Sequence, residues 1–580
     1  MTAVQSAAND QHPADQQMPE TIIPSITFET ITFSDGTTIH LNPKDIIVFV
    51  GPNNAGKSEA LRELSQHLFP QRTGVVVKSV KLRKTGNVEQ LRAFLNLHAK
   101  KKDIQYQGYR INVDDRTLDR AWTHDIGPLQ NLFCQQISTQ SRIQDSNHAS
   151  AINTIEHAPS HPIHMLFDDD KIEQRISDYF RRAFGKDLIV FRAGGNTWPL
   201  LVGERLVAQP GEHMYSKSYN ERQLDAAVQL SLQGDGMRSF ATVILHMLAP
   251  ATPSILLLDE PEAFLHPPQA RLLGEFIANE RPPQAQLFIS THSPDVLQGL
   301  LSTASQHLRI IRIQRDGDVN RVKELDKEKT RRIAADPLMK FSSVMSGVFH
   351  QRVIICESDS DCMFYSSILD LPDVRGERQP DVLFIHAGGK QRMAALAESL
   401  CALGVNVDVI ADIDILNDET ILQNLITTLG GNWSEILAEA RPLRLAIEQK
   451  KPWLDAGEVV KEIQKILRGV STSGEFPKKL RSDVDAVFRK ASPWEAIKAA
   501  GAAAIPPGQA TQQYQRLQNL CKECGLWIVP VGELEGFCKS EGGHGPQWVQ
   551  KIIESRDLAA DGELAAARDF MSELYNKRPS

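Results

Sequence analysis

Ile46-Ile-Val-Phe-Val-Gly-Pro-Asn-Asn-Ala-Gly-Lys-Ser58 decides how the rest of the chain is read. Its first five residues are apolar and mostly β-branched, and polar residues flank the whole stretch, which predicts a buried strand. Gly51 to Ser58 is a complete G-x-x-x-x-G-K-S, followed by a helix-like segment from Glu59 to Leu68. Strand, glycine loop and helix in that order can cradle phosphate. The glycines let backbone N–H groups wrap the anion, and the helix N-terminus adds its dipole. Gly51, Asn53, Asn54, Ala55, Gly56, Lys57 and Ser58 are therefore candidate ATP-binding residues. Lys57 would reach the β- and γ-phosphates, and Ser58 would offer its hydroxyl to Mg²⁺.

Further along, Ser254-Ile-Leu-Leu-Leu-Asp-Glu-Pro-Glu262 reads as a strand ending in carboxylates. Asp259 is expected to hold Mg²⁺ in its outer shell, and Glu260 to polarise the attacking water. Leu287-Phe-Ile-Ser290 is the next strand, and Ser290-Thr-His-Ser-Pro294 puts His292 at its end, within reach of a γ-phosphate. Upstream, Leu230-Ser-Leu-Gln-Gly-Asp-Gly-Met-Arg-Ser239 is a glycine-containing turn entering an apolar helix, and residues 308–325 predict a hairpin with a turn at Asp316-Gly317. Together this order of motifs resembles the ABC-type ATPase heads of the structural-maintenance, RecF and OLD (overcoming lysogenization defect) group. The resemblance implies a dimer, in which Ser231, Gly234 and Gly236 of one head complete the ATP site of the other. The turn departs from the common Leu-Ser-Gly-Gly form, and the usual Mg²⁺-sensing glutamine has no evident position in the sequence.

A second set of strands begins at Val353-Ile-Ile-Cys356 and continues through Val382–Ile385, Val407–Ile410 and Leu526–Val531. Helix-like segments between them predict a parallel α/β sheet. The first strand runs into Glu357-Ser-Asp-Ser-Asp361 and the third into Asp412-Ile-Asp414. In a parallel sheet these carboxylates gather at the C-terminal edge, where such sheets bind ligands. Hard oxygen donors suit Mg²⁺ or Mn²⁺, which activate water and stabilise a pentacovalent phosphate. The bland reading is that these acids cap the following helices.

The arrangement resembles a Toprim domain, with Glu357 as its first-strand glutamate and Asp412 and Asp414 as its Asp-x-Asp. Relatives usually carry Glu-Gly-x-x-Asp; here Ser358 replaces the glycine and Asp361 is kept. Ala387-Gly-Gly-Lys390 resembles the turn after the second Toprim strand. Pro530-Val-Gly-Glu-Leu-Glu-Gly536 resembles the late acidic motif of OLD-type proteins, which would add Glu533 or Glu535 to the metal ligands; otherwise it is a surface acidic turn.

An ABC-type head followed by Toprim is the layout of OLD-family nucleases, a group associated with anti-phage defence. The resemblance implies an ATP-regulated, metal-dependent endonuclease with DNA as its preferred substrate and ATP and Mg²⁺ as cofactors, Mn²⁺ being an alternative at the second site. Glu260, His292, Glu357, Asp412 and Asp414 would be catalytic. Ser58, Asp259, Glu357, Asp361, Asp412, Asp414, Glu533 and Glu535 would hold metal. Implied partners are a second copy of the chain, nucleic acid, and a phage-encoded trigger or a defence partner such as a helicase or reverse transcriptase. Two other readings remain: an RNase acting on tRNA or another RNA, and an ATP-dependent scaffold with little cleavage of its own.

Charge and composition bound these readings. The chain has 64 Lys and Arg against 72 Asp and Glu, a net −8, which excludes a uniformly basic nucleic-acid coat. Basic patches survive within that average. Val75 to Arg110 holds nine Lys/Arg against Glu89 and Asp103, and residues 441–500 hold 13 basic against 8 acidic. The first could contact phosphates or be a solvated face. Seven scattered cysteines fit a reducing cytoplasm rather than a disulfide framework. Cys521, Cys524, Cys538 and His544 can be written as a zinc set, but with one C-x-x-C in a helical segment they read as ordinary thiols. No apolar stretch reaches the roughly 18–20 residues of a membrane span. Tyr365 is expected on a core-facing helix, and no separate tyrosine-bearing strand-passage domain is evident, which argues against a topoisomerase.

The expected layout is α/β throughout. Residues 1–21 form a disordered leader, and 22–326 an ABC-type P-loop ATPase domain in which 75–190 is an inserted arm or dimerisation region. Residues 327–350 form a charged linker, 351–540 a Rossmann-like Toprim domain with a helical insert at 420–520, and 541–580 a C-terminal helical segment. Within the arm, Gln135–Pro162 is expected as a polar loop, and Asp168-Asp-Asp170 as a solvated face or helix start.

Overall fold

A computed structural model describes residues 23–69, 73–167, 169–249, 253–303, 307–325, 343–449, 456–468, 477–490 and 492–577, with 328 and 470 singly. The expected leader, Asp168, most of the charged linker and most of the Ser471–Pro477 break in the insert lie outside the described residues.

Ile46–Val50 is buried at every position and sits inside a six-stranded sheet. The order is Val319–Glu324, Leu308–Asp316, Ile46–Val50, Gln286–Ser290, Ile255–Asp259, Cys134–Ile137. The first strand is antiparallel to its neighbour and the other five are parallel. Elements cover both faces, so Ile46–Val50, Leu287–Ile289 and Ile255–Leu258 are unbroken apolar runs instead of alternating ones. The register sets Asp259 opposite Ser290 and Val50 opposite Arg312. The loops carrying Gly51, Glu260 and His292 therefore leave from one edge of the sheet.

Residues 75–190 do not form a separate arm; they are woven into the head. Val77–Thr85 pairs with Ser25–Phe33 in a three-stranded antiparallel sheet. Cys134–Ile137 is the sixth strand of the main sheet. Helix Asp170–Phe184 packs Phe180 and Phe184 against Phe240 of helix Asp235–Leu248. The expected Gln135–Pro162 loop contains helix Thr139–Asp145, capped by Ser138, whose hydroxyl accepts from Ser141 N–H. Cys134-Gln-Gln-Ile137 escaped notice because two of its four residues are polar. One of them, Gln135, is buried and donates to His246.

The C-terminal unit is a four-stranded parallel sheet, ordered Val382–His386, Arg352–Cys356, Asn406–Ala411, Leu526–Ile528. The last strand ends before Pro530, which has no N–H to donate. Helices Gly545–Ser555 and Ala565–Asn576 are part of this unit, not an appended segment: Trp548 packs on Phe364 and Phe570 on Tyr365. Ser343–Phe349, expected as linker, buries Val344, Met345 and Val348. Among the described residues no helix is long and apolar enough to cross a membrane.

The two units share one continuous hydrophobic core. Arg312 crosses the seam. It is 3% exposed and donates to three carbonyls of the C-terminal unit: Gly404 at 2.7 Å, His350 at 2.9 Å and Val348 at 3.4 Å. A buried guanidinium is tolerated only with its N–H groups satisfied. Replacing it strands those carbonyls, at a cost of about 3 kcal/mol. Arg312→Ala is thus expected to speed amide exchange through residues 344–356 by about 100-fold. Unchanged exchange there would show that the seam does not depend on this residue.

Candidate nucleotide and metal sites

The glycine loop follows from local sterics. Gly51 has φ 139°, and a Cβ there would lie 2.0 Å from the carbonyl oxygen of Ile313. Gly56, with φ 94°, immediately precedes helix Lys57–Gln66. Only glycine takes both conformations without strain. Asn53 and Asn54 are exposed, Ala55 is buried, and Ser58 lies in the first helical turn. Lys57 Nζ donates to the carbonyls of Gly51 and Pro52, each at 2.8 Å, so the ammonium is held over the loop. Burial pulls its pKa down to about 8, opposed by Glu260, Glu262, Asp259 and Asp381.

Asp259 accepts a hydrogen bond from Ser290 Oγ. Glu260 takes φ 45°, a left-handed conformation rare for its type. Its N–H donates to Ser290 O at 3.0 Å, and its carbonyl accepts from Arg142 Nη2 at 2.8 Å. Arg142, fully buried, also donates to the carbonyl of Asp259 at 2.8 Å. These bonds hold the strained residue in place. His292 Nε2 lies 3.3 Å from Glu260 Oε1. Burial, reinforced by Lys57, lowers the imidazole to about 4, so it is neutral at pH 7. Glu262, missed as a site residue, accepts from Thr291 Oγ1 at 2.7 Å and His292 N–H at 2.9 Å, and burial raises its pKa.

Ser231, Gly234 and Gly236 lie around the N-terminus of helix Asp235–Leu248. A Cβ at Gly236 would come within 2.6 Å of Phe264 O, so the turn and the loop after Glu260 pack closely. Leu232 and Phe264 beside them are 74% and 57% exposed, leaving an apolar face open here. Pairing of Ile137 with Leu258 brings the start of helix Thr139–Asp145 to the Asp259 edge. Gln140, exposed in that helix's first turn, becomes visible as the candidate glutamine only once the sixth strand is recognised.

At the second sheet, Glu357, Asp412 and Asp414 each bring a carboxylate oxygen within 4.8 Å of the others. Gly388 and Gly389 N–H both donate to the Glu357 carbonyl at 3.1 Å, so the expected glycine turn fixes the first acid. Asp361 has a different task. Its carboxylate accepts from Ser358 N–H at 2.8 Å and Ser358 Oγ at 2.9 Å, closing a capping box. Here the cap reading describes what the side chain does, and Asp361 stands outside the three-carboxylate group. Glu533 and Glu535 group instead with His544.

Two lysines complete the site, and neither stands among the candidate site residues of the sequence. Lys390 Nζ lies 3.1 Å from Asp414. Lys498, from the insert, lies 3.9 Å from Asp412 and 3.5 Å from Glu533. Its placement follows from close backbone packing: a Cβ at Gly532 would sit 2.0 Å from Lys498 O. Burial, then the neighbouring acids, pushes Asp412 well above its ordinary value, and burial with Asp414 raises Glu357. Burial alone would lower Lys498, but Asp412, Asp414, Glu533 and Glu357 hold it above normal. Crowded oxygen donors that resist ionisation without a counter-ion fit a hard divalent cation.

Two pH dependences follow. Lys57 is charged below about 8 in the free protein, and bound triphosphate favours the charged form. ATP affinity should therefore fall by up to about tenfold per pH unit above pH 8. Equilibrium binding of a non-hydrolysable analogue from pH 7 to 9 reads this out, and a flat profile would refute it. Asp412 is raised in the folded state, so the stability it contributes is lost as pH rises through that raised value. In chelator, Asp412→Asn should raise the melting temperature at pH 8 by about 2 °C or more, while removing most of the gain that Mg²⁺ gives the parent.

Residues 145–298 match the family model described as "AAA domain, putative AbiEii toxin, Type IV TA system". No curated protein sequence matches the chain. Among solved structures, an Smc head bound to the C-winged helix domain of ScpA is 11% identical with a TM-score of 0.33, covering 53% of this chain and 99% of that one. The SMC head domain from Thermotoga maritima is 10% identical with a TM-score of 0.28, covering 53% and 99%. The ADP form of MJ1267, an ATP-binding cassette of an ABC transporter, is 10% identical with a TM-score of 0.25, covering 55% and 96%. The glycine loop, the acidic strand end and His292 lie on one sheet edge, and with the AAA-domain match they give the N-terminal unit the fold and motifs of a P-loop ATPase.

Proposed function

We propose that the chain is an ATP-regulated, metal-dependent phosphodiesterase of the OLD type, acting as an endonuclease with DNA as its preferred substrate. The observation that carries this reading is the group Glu357, Asp412 and Asp414 at the end of a parallel sheet separate from the ATPase sheet, with Lys498 among them. A structural cap does not need three carboxylates converging within 4.8 Å. Mg²⁺ or Mn²⁺ held by these acids would activate water and stabilise negative charge on a phosphodiester. Lys498 offers a cation for the same developing charge, and Lys390 orients Asp414.

In the head, Lys57 and the loop amides bind the triphosphate, Ser58 and Asp259 serve its Mg²⁺, and Gln140 stands at the Mg²⁺-sensing position. Glu260 orients the water, with the neutral His292 beside it. The exposed turn bearing Ser231, Gly234 and Gly236, flanked by Leu232 and Phe264, supports a second head closing over ATP. The match to a model that names a toxin of a toxin–antitoxin system supports a role in defence.

Incubation with Mg²⁺ or Mn²⁺ and a panel of plasmid, linear DNA and tRNA tests the reading. The combined variant Asp412→Ala with Asp414→Ala should abolish cleavage and keep ATP turnover, whereas Lys57→Ala should lose ATP binding. Cleavage of tRNA alone would make the enzyme an RNase. Cleavage that survives the double variant would defeat the assignment of the acids.

A further inference from the structure

We propose that Glu262 is a positioning residue for ATP hydrolysis, fixing the loop that carries His292 against the loop that carries Glu260. The proposal rests on the reading of Glu260 and His292 as residues of the hydrolysis step, and it gives that step a third member that touches neither ATP nor metal.

Glu262 ties the ends of two neighbouring strands. It lies just beyond strand Ile255–Asp259, and Thr291 directly follows strand Gln286–Ser290. One carboxylate oxygen, Oε1, accepts from Thr291 Oγ1 at 2.7 Å and from His292 N–H at 2.9 Å. Thr291 Oγ1 in turn accepts from Ser293 N–H at 3.0 Å, so the grip reaches the residue that caps helix Pro294–Ser302. The anchor is itself held, because Leu265 N–H donates to the Glu262 carbonyl at 2.8 Å. Glu260 N–H also donates to Ser290 O at 3.0 Å. That bond aligns the strand ends, but it does not orient residue 292, whose own N–H is held by Glu262. With residue 292 so held, the imidazole Nε2 stands 3.3 Å from Glu260 Oε1. Loss of the anchor would change the spacing between the imidazole and the carboxylate that orients water, and a displacement of about 1 Å can cost about 100-fold in rate.

The loop bearing Glu262 is strained on either side of it. Glu260 has φ 45° and Phe264 φ 71°, left-handed values rare for residues with side chains. Such conformations persist only where the surrounding bonds over-determine them, and they collect where geometry serves function. The second carboxylate oxygen, Oε2, is buried and has no partner among the described residues. The carboxyl is thus buried at a cost to stability, and the bonds it does make converge on the residue beside Glu260.

The test uses the full chain with Mg²⁺ and ATP. Turnover is expressed per head that binds a non-hydrolysable analogue, so a smaller folded fraction does not enter the comparison. Glu262→Ala should lower kcat by about 10- to 100-fold, while KM and analogue affinity stay within about threefold. Glu262→Gln keeps an acceptor oxygen for Thr291 and His292 and should bring kcat back to within about threefold of the parent. A group that served packing alone would change the folded fraction and leave turnover per head as it was. Thr291→Val removes the hydroxyl donor and should lower kcat several-fold. Added to Glu262→Ala it should cost little more, because both break the same link. Parental turnover per head in Glu262→Ala, or a Glu262→Gln variant as slow as Glu262→Ala, would overturn the proposal. Where Glu262→Ala does not fold, Thr291→Val decides, and a parental kcat there overturns it. Glu260→Gln separates this proposal from the reading beneath it. If that variant hydrolyses ATP as the parent does, or the parent shows no turnover, the hydrolysis assignment fails and takes the proposal with it. Loss of turnover in Glu260→Gln beside parental turnover in Glu262→Ala sinks the proposal alone.

Discussion

A single buried cation fixes how the two halves of the molecule meet. At the seam Arg312 bonds carbonyls of Val348, His350 and Gly404, and Asp381 favours its charge. Burial lowers its pKa to about 10, which still leaves it charged at neutral pH. A charge that cannot be discharged or exposed demands every one of its acceptors, so the seam has little freedom to slide. Arg312 also pairs in register with Val50, the residue before the glycine loop. The first turn of the ATP site and the start of the second sheet are thus tied to one residue, through its backbone on one side and its side chain on the other. The brace has an electrostatic companion. Asp381 accepts from His350 at 2.8 Å and is one of the four acids that oppose the fall in the Lys57 pKa. The C-terminal unit therefore lends charge to the P-loop lysine.

Each site pairs resident lysines with converging acids, and the balance differs between them. At the loop, desolvation wins and Lys57 falls to about 8. At the second sheet, four carboxylates outweigh desolvation and Lys498 is held charged. The acids there remain hard to ionise, Asp412 most of all. The net −8 of the whole chain conceals this arrangement, because the strongest local fields come from groups gathered from distant parts of the sequence.

What could be read from the sequence follows burial. Ile46–Val50, Ile255–Leu258 and Val353–Cys356 are enclosed on both faces, so each is an unbroken apolar run. The glycine loop was legible for the same reason, whereas the Asp-x-Asp follows Asn406–Ala411, whose first two residues are half-buried and which carries a buried Asp408. Cys134–Ile137 was not, because it lies at the sheet edge and spends Gln135 on a histidine. Missing it hid Gln140 and made the surrounding region look like an arm. Lys498 was hidden in a different way. Its position depends on a glycine contact between the end of the insert and the turn after the last strand, and no local pattern records such a contact. Asp361 shows the opposite limit: its spacing matched a ligand, but a serine in place of glycine gave the carboxylate a cap to close.

The strand that completes the second sheet, Leu526–Ile528, pairs with Asn406–Ala411 across the whole helical insert. On a ribosome, the ATPase head and the first three acids are therefore made well before Lys498, Glu533 and this closing strand exist. Until then Asn406–Ala411 has an open edge and the acid cluster lacks its resident cation. A polypeptide cut short anywhere in the insert holds a complete head and an unfinished carboxylate pocket. Synthesis order itself thus leaves the second sheet with an open edge until translation has passed the last strand.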